Sequence, residues 1–365
     1  MKTHNRASSA FTVAVTSRFD FLSDEYAVLF AESSASAFQH PMWLDAIYQK
    51  LVPHLKVDPL IVTVRDAANG RLVMLLPLVR RRHRGLRTIE FADLGVSDYV
   101  APVASDATIE TVAADPFTCK RINAVLKPYD ILRIRKLRSP SIAVQRLFGA
   151  TSCSEMSMGA YAVPLGSDFA TWRSDHMLAS YRKELDKKSR QLHRKGQVTF
   201  EHLTDVTMIR STFQMMREYR RERFDAGDLL QDPIYFDFYL DIAIRGQATL
   251  SRVYSVQMDG VQIAGAMNLS HNGSLLGLLT SFDHDNYKSQ SLGSLLFEMV
   301  AKHAISVGDR VLDFTIGDEP YKVSFGAKKS PIYQILRSGS LSGAVAGVAV
   351  QRASWIKGLA HRFAG

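Results

Sequence analysis

Cysteine is almost missing from this chain: two residues, Cys119 and Cys153, stand among 365. Neither belongs to a C-x-x-C pair or to a spacing that suits a metal, so no metal site is expected. Both read as reduced thiols of a cytoplasmic protein rather than as a disulfide. Long apolar runs are missing as well. No stretch approaches the ~20 apolar residues that span a bilayer, and residues 10–15, behind Lys2, His4 and Arg6, are shorter than a signal-peptide core. Familiar catalytic signatures are absent too: there is no Walker A, no G-x-G-x-x-G, no H-E-x-x-H and no ordered Ser/His/Asp set. Phosphoryl transfer, hydride transfer and metal-dependent hydrolysis lose weight accordingly.

What is present describes a well-packed globular protein, with 46% hydrophobic residues. Its 365 residues exceed one ordinary core and suggest two domains. The formal net charge of +9 favours anionic partners: a CoA-like cofactor, nucleic acid, acidic glycans or an anionic membrane surface. Nucleic acid is the weaker of these, since no aromatic platform is interleaved with the charges.

Pattern and turn chemistry predict a repeated order of elements. In the first half a helix over 41–51, opened by Pro41, precedes strands over 59–65 and 71–80, joined at Asn69-Gly70. The charge run Arg80-Arg-Arg-His-Arg84 follows. A strand over 87–91, a loop through Asp98-Tyr99, a helix over 106–127 and a strand over 130–135 complete it. In the second half, strands over 252–258, 261–269 and 274–282 turn at Asp259-Gly260 and Asn272-Gly273, then a helix over 291–307 leads to a strand over 311–316. Between the halves lie a basic helix over 172–195, ended at Gly196, and a helix over 205–223. The tail, 339–365, places Trp355, Ile356, Leu359 and Phe363 on one face, ringed by Arg352, Lys357 and Arg362. Both a membrane-surface helix and one docked on its own domain fit that pattern.

The turn before helix 291–307 is the most informative stretch. It reads Lys288-Ser-Gln290-Ser291-Leu292-Gly293-Ser294. A helix start carries unpaired N–H groups and roughly half a positive charge, and a glycine there lets an anion approach the backbone. A nucleotide-bearing cofactor is implied, though a plain N-cap by Ser289 or Ser291 accounts for the same residues. Downstream, alternation puts Leu312, Phe314 and Ile316 on one strand face and Val311, Asp313 and Thr315 on the other. A mid-strand carboxylate such as Asp313 either pairs with a cation or works in a cleft. Next, Asp318, Glu319, Tyr321 and Lys322 collect at the strand's C-terminal end, where a carboxylate and a tyrosine suit base and acid duties in amine acylation. A turn capped by Asp318 with Tyr321 as packing is the structural alternative. His303 reads as a packed or surface histidine.

Taken in order, several short segments resemble the CelD/BioF2-like acetyltransferase family, a branch of the GNAT superfamily related to Fem-type peptidyltransferases. They are Phe38-Gln-His-Pro-Met-Trp43, Leu75-Leu-Pro-Leu78 with its basic run, Asp98-Tyr99, Leu192-His-Arg-Lys-Gly196, Ser291-Leu-Gly293, Asp313-Phe and Glu319-Pro-Tyr-Lys322. The resemblance spans roughly residues 35–335. It implies an α/β fold with mixed (α+β) sheets, built as two tandem GNAT-like lobes with a helical basic connector. The expected boundaries are 11–160 for the first lobe, 161–338 for the lobe carrying the acyl-CoA site, and 339–365 for the amphipathic tail.

The resemblance also implies an N-acyltransferase, using acyl-CoA, with acetyl-CoA foremost, as co-substrate and no metal. In that superfamily a Gln/Arg-x-x-Gly-x-Gly/Ala turn holds the CoA pyrophosphate. Here Gln290-Ser-Leu-Gly293-Ser-Leu295 follows it except at Leu295, where the family has a small residue. The expected contacts are the amides of 291–295, with Lys288 and Gln290. In the superfamily a tyrosine ahead of a Gly-Phe-like element is the general acid; Tyr321, ahead of Phe325-Gly326, sits similarly with that pair in reverse order, and Glu319 or Asp313 is the implied base. Asp98, Tyr99 and Lys322 are the expected acceptor contacts, the acceptor being a small-molecule or glycan amine held between the lobes, possible in polysaccharide or cell-envelope metabolism. A Fem-like transferase using aminoacyl-tRNA and a non-catalytic polysaccharide-assembly scaffold are the rivals.

Overall fold

Each of the three predicted Gly turns is built as its sequence requires. Asp259 and Gly260 have φ of 50° and 82°, and Asn272 and Gly273 have 49° and 73°, the left-handed pair that closes a two-residue hairpin. Gly70, at φ 76°, sends its N–H to Asp66. The strands they join order the rest.

In the computed structural model, residues 9–345 are described, apart from 84, 225 and 226. Two units emerge: Met1–Ser157 with Pro331–Gly365, and Met158–Ser330. The first carries strands β1 (Phe11–Thr16), β2 (Asp58–Asp66), β3 (Leu72–His83), β4 (Leu86–Phe91), β5 (Ile131–Leu137) and β6 (Ser154–Glu155). The second carries β7 (Ala160–Pro164), β8 (Val198–Leu203), β9 (Ser251–Met258), β10 (Val261–His271), β11 (Ser274–Phe282), β12 (Val311–Ile316) and β13 (Lys328–Ser330). A last strand, β14 (Tyr333–Ser338), returns to the first unit, so the sheet orders are β1-β2-β3-β4-β5-β14-β6 and β13-β7-β12-β11-β10-β9-β8. Residues 333–338 were expected in the C-terminal lobe. They pair instead with β5 and β6, because their apolar register, Ile335 opposite Ile134, fits the first unit's core.

The two sheets share one plan. An antiparallel run ends in a strand (β4 or β11) that a helical crossover joins to a parallel neighbour (β5 or β12). Helix Leu292–Ser306 makes the second crossover and buries Leu292, Leu295, Leu296, Val300, Ala301, Ala304 and Ile305 against the sheet. The first crossover is two helices, Asp106–Ala114 and Pro116–Leu126, not the single helix expected. Pro116 disfavours helical backbone at Asp115, whose side chain then caps the second helix at Phe117. The basic segment likewise divides into Phe169–His176 and Ala179–His193, with Met177 extended between them. Helix Val206–Phe224 covers the second unit's other face, where the space at Gly265 meets Thr212 and Met216. Helix Pro233–Arg245, capped by Asp232, was not anticipated; its near-continuous apolar run is what a helix buried on several sides shows. No helix among the described residues is long and apolar enough to cross a membrane. The tail residues Arg352, Trp355, Ile356, Lys357, Leu359, Arg362 and Phe363 lie outside the described residues.

Candidate active site

Strands β11 and β12 run together only briefly. Their parallel ladder holds three pairs, Ser274↔Val311, Leu275↔Leu312 and Leu276↔Asp313, and then stops while both strands continue. Two local features part them. On β11 the pairing with β10 steps from Met267↔Leu279 to Asn268↔Gly277, which leaves Leu278 as an extra, bulged residue. On β12 Thr315 adopts φ 57°, with its N–H held by Asp313 Oδ1 at 2.8 Å and its hydroxyl on the Gly277 carbonyl at 3.3 Å. The strict alternation expected across 311–316 therefore breaks after Phe314. Asp313 is buried, at 4% exposure, and works as the brace of that kink.

The parting exposes a backbone edge. The Asp283 N–H bonds to Ile263 O at 2.9 Å. Antiparallel alternation then makes Ala264↔Phe282 and Ala266↔Thr280 the pairs that do not bond to each other. Thr280 consequently directs its N–H and C=O away from β10, toward the side where β12 has parted. Its carbonyl receives Arg220 Nη1 at 3.1 Å, and Arg220 is itself fixed by Asp228 through Nε at 2.9 and 3.0 Å.

At the far end of β11 lies the turn into helix Leu292–Ser306. Ser291 is left-handed, at φ 53°, and no side chain caps the helix. Of the five amides expected to face an anion, three bond within the turn: Ser291 to Lys288 O at 3.1 Å, and Ser294 and Leu295 to Ser291 O at 2.9 and 3.1 Å. Leu292 is fully buried, which leaves the partly exposed Gly293 to present its N–H. The glycine has a second reason to be there. A Cβ at Gly293 would stand 2.8 Å from the Phe282 ring. Gln290 is buried, with its Oε1 unbonded, while Lys288 is exposed.

Charge accumulates around this turn from helix Ala179–His193 and the turn that follows it. Lys188 Nζ bonds to Ser289 O at 2.6 Å and Lys195 Nζ to Asn286 O at 2.9 Å, with Lys195 also 4.9 Å from the Tyr287 ring centre. Tyr181 donates to Ser294 Oγ at 2.7 Å. Tyr181, Lys188 and Lys195 were not among the expected site residues; the signal for them was the basic helix over 172–195 itself, whose cations suit the phosphates of substrate or CoA. Ammoniums beside an uncapped helix start suit a phosphate by charge and by donor type.

Tyr321 stands on short helix Pro320–Ser324. Its ring stacks on Phe297 (5.1 Å between centres, 15° between planes) and meets Phe314 edge-on at 5.9 Å. Burial, helped by the negative charge of Glu319 and by Tyr181, raises its hydroxyl far above the usual phenol range, so it keeps its proton. Glu319 is 54% exposed and pairs with Lys322 Nζ at 2.8 Å. Lys322 was expected to meet substrate. Instead it is 2% exposed, and its ammonium is drawn inward to Gly317 O at 3.0 Å, because that carbonyl and Glu319 answer its charge. Asp318 accepts from Tyr161 at 2.9 Å and pairs with Lys329, which together with Gly159 N–H hold its carboxyl below the usual range despite burial.

Asp98 and Tyr99 belong to the first unit. There, β4 and β5 share only Thr88↔Ile131 and Ile89↔Leu132 before separating, and Lys136 takes φ 62°, as Thr315 does on β12. The first unit's own chain fills this parting. Val100 N–H bonds to Lys136 O at 3.2 Å, Lys136 Nζ to Ser97 O at 2.7 Å, and Trp43 Nε1 to Ser97 Oγ at 2.9 Å. Tyr99 is 1% exposed, with the Arg138 guanidinium over its ring. The loop closes the first unit's cleft, so Asp98 and Tyr99 sit in a plug of the first unit.

Residues 179–323 match the family model described as an acetyltransferase (GNAT) domain. No curated protein matches the chain by sequence. Among solved structures, FemX has a TM-score of 0.58 at 11% identity, over 88% of this chain and 96% of its own. L-PGS from Bacillus licheniformis gives 0.54 at 11%, over 92% and 97%. A tandem GNAT protein from the clavulanic acid biosynthesis pathway gives 0.50 at 12%, over 90% and 99%. The chain thus has the fold of two tandem GNAT-like lobes, and its residues 179–323 match the acetyltransferase (GNAT) domain model.

Proposed function

We propose that the second unit is an acyl-CoA-dependent N-acyltransferase acting on an amine. The observation that carries this reading is the junction of two features: an open edge at Thr280, where β11 leaves β12, and an uncapped helix start flanked by Lys188, Lys195 and Lys288. An extended, amide-bearing arm ending in a diphosphate matches both. Its amides pair with the strand edge as an added strand does, and its phosphates meet the Gly293 N–H and the ammoniums. Acyl-CoA, as substrate, supplies the thioester and leaves as the CoA thiol. The amine nitrogen forms a bond to the thioester carbon, and the carbon–sulfur bond breaks. Tyr321, held protonated by its buried ring stack, gives a hydrogen bond or its proton to the departing sulfur. Glu319, exposed beside Tyr321, takes the ammonium proton through water. The acceptor is a small-molecule or glycan amine.

Calorimetry with acetyl-CoA and with uncharged tRNA, paired with thiol release on a panel of amines, tests this. Saturable CoA binding, with Tyr321→Phe lowering turnover at nearly unchanged CoA affinity, supports the reading. Salt-dependent tRNA binding with none to CoA points instead to an aminoacyl-tRNA donor, for which the exposed cations of helix Ala179–His193 are the natural surface.

A further inference from the structure

The first unit contains a cavity of ≈ 340 Å³ formed by its own residues alone, a size at the lower end of ligand pockets, which run from about 300 Å³ upward. Its interior is apolar: Val100, Ile109, Leu137 and Val144 line it and are all under 8% exposed. Its remaining wall carries Ser34, Ser36, Gln39, Ser139 and Ser141 and is charged in two separate places. Asp106 and Glu110, one turn apart on helix Asp106–Ala114, face it together. Arg138, just past β5, faces it with its guanidinium 4.8 Å from the Tyr99 ring centre. Neither carboxylate forms an ion pair among the described residues, and Arg138 makes none either. Like charges at this helical spacing repel unless a cation stands between them. A guanidinium held on an aromatic face keeps its planar fork turned toward a carboxylate.

We propose that this cavity binds a free α-amino acid with an apolar side chain. Its ammonium sits between Asp106 and Glu110, its carboxylate on Arg138, and its side chain against Ile109, Leu137 and Val144. The argument stands apart from the donor assigned to the second unit. The plug that closes the first unit's cleft also contributes Tyr99 and Val100 to this cavity.

The test uses the full chain and L-leucine and L-phenylalanine as probes, by calorimetry and thermal shift. Leucine methyl ester lacks the carboxylate, and 4-methylpentanoate lacks the ammonium. Saturable binding of leucine or phenylalanine, with each analogue at least tenfold weaker, is expected. Arg138→Ala and Glu110→Gln should each weaken the amino acid about tenfold, roughly one charge-assisted hydrogen bond, and leave CoA binding unchanged. No saturable binding of either amino acid up to about 10 mM, equal binding of the analogues by the unaltered chain, or full affinity in the Arg138→Ala, Glu110→Gln double variant overturns the proposal.

Discussion

Replacing Gly293 with alanine separates the two demands made on that glycine. The added methyl would lie 2.8 Å from Phe282 Cε1 and 3.3 Å from Cδ1. Carbon atoms settle at about 3.5–4.0 Å, so the ring has to move by about 1 Å. Phe282 is only half-buried, and such a shift costs about 1 kcal/mol, the low end for overpacking. Alanine's better helix propensity returns nearly as much, up to about 1 kcal/mol. Folding stability should therefore stay within about 1 kcal/mol of the parent. Binding should not. The displaced ring crowds the Gly293 N–H, the exposed amide of the turn, and a hydrogen bond to a charged phosphate is worth about 1.5–3 kcal/mol. CoA affinity should fall roughly ten- to hundredfold, read by calorimetry alongside urea denaturation of the same preparation. An affinity within about twofold of the parent would show that no phosphate approaches this amide. A stability loss above about 3 kcal/mol would show that Phe282 cannot yield, and that the glycine is purely a packing residue.

Three further outcomes follow from the same geometry. Asp313→Ala removes the acceptor that holds Thr315 N–H in its left-handed turn and should cost about 1–3 kcal/mol in urea denaturation; adding Thr315→Gly should recover part of it, and no loss at all would dismiss the brace. His202 and His303 lie 5.0 Å apart by ring centre, and burial, then the charges of His303 and Arg252 for the first and Arg252 for the second, lower both below 6.5. The unfolded chain then takes up protons first as pH falls, so stability should decline from about pH 6.5 downward to the lowered folded values, and His303→Gln should flatten that slope in pH-dependent melts. Finally, because the first unit's parting is filled from within, calorimetry should count about one CoA per chain; a count near two would mean that the plug at 92–104 opens.

Much of the second unit's plan could be read from its residues. Asp259-Gly260 and Asn272-Gly273 fixed two hairpins, and the apolar stripe of Leu292, Leu295, Leu296, Met299, Val300 and Ala304 placed the crossover helix, since turn chemistry and helical periodicity are local properties. Val307, which the same spacing includes, is exposed. The details that shape the site were not local. Whether Thr280 faces a neighbour or a gap depends on a bulge at Leu278 and a kink at Thr315, two departures from alternation that no propensity signals. The same holds for Lys322. The resemblance implied contact with substrate, but a backbone carbonyl five residues earlier, at Gly317, decided its direction. Tyr181 was visible as one apolar-face residue of a basic helix; its bond to Ser294 joins positions 113 apart in sequence.

The return of β14 has a consequence for how the molecule comes into being. Residues 333–338 insert between β5 and β6, and Arg337 Nη1 bonds to Phe148 O at 2.9 Å. A chain leaving the ribosome in order exposes the first unit's residues early, yet its sheet stays interrupted until the whole second unit has been synthesised. Nascent β5 therefore waits with a bare flank, and any shortening that reaches residue 338 injures the half of the protein made first.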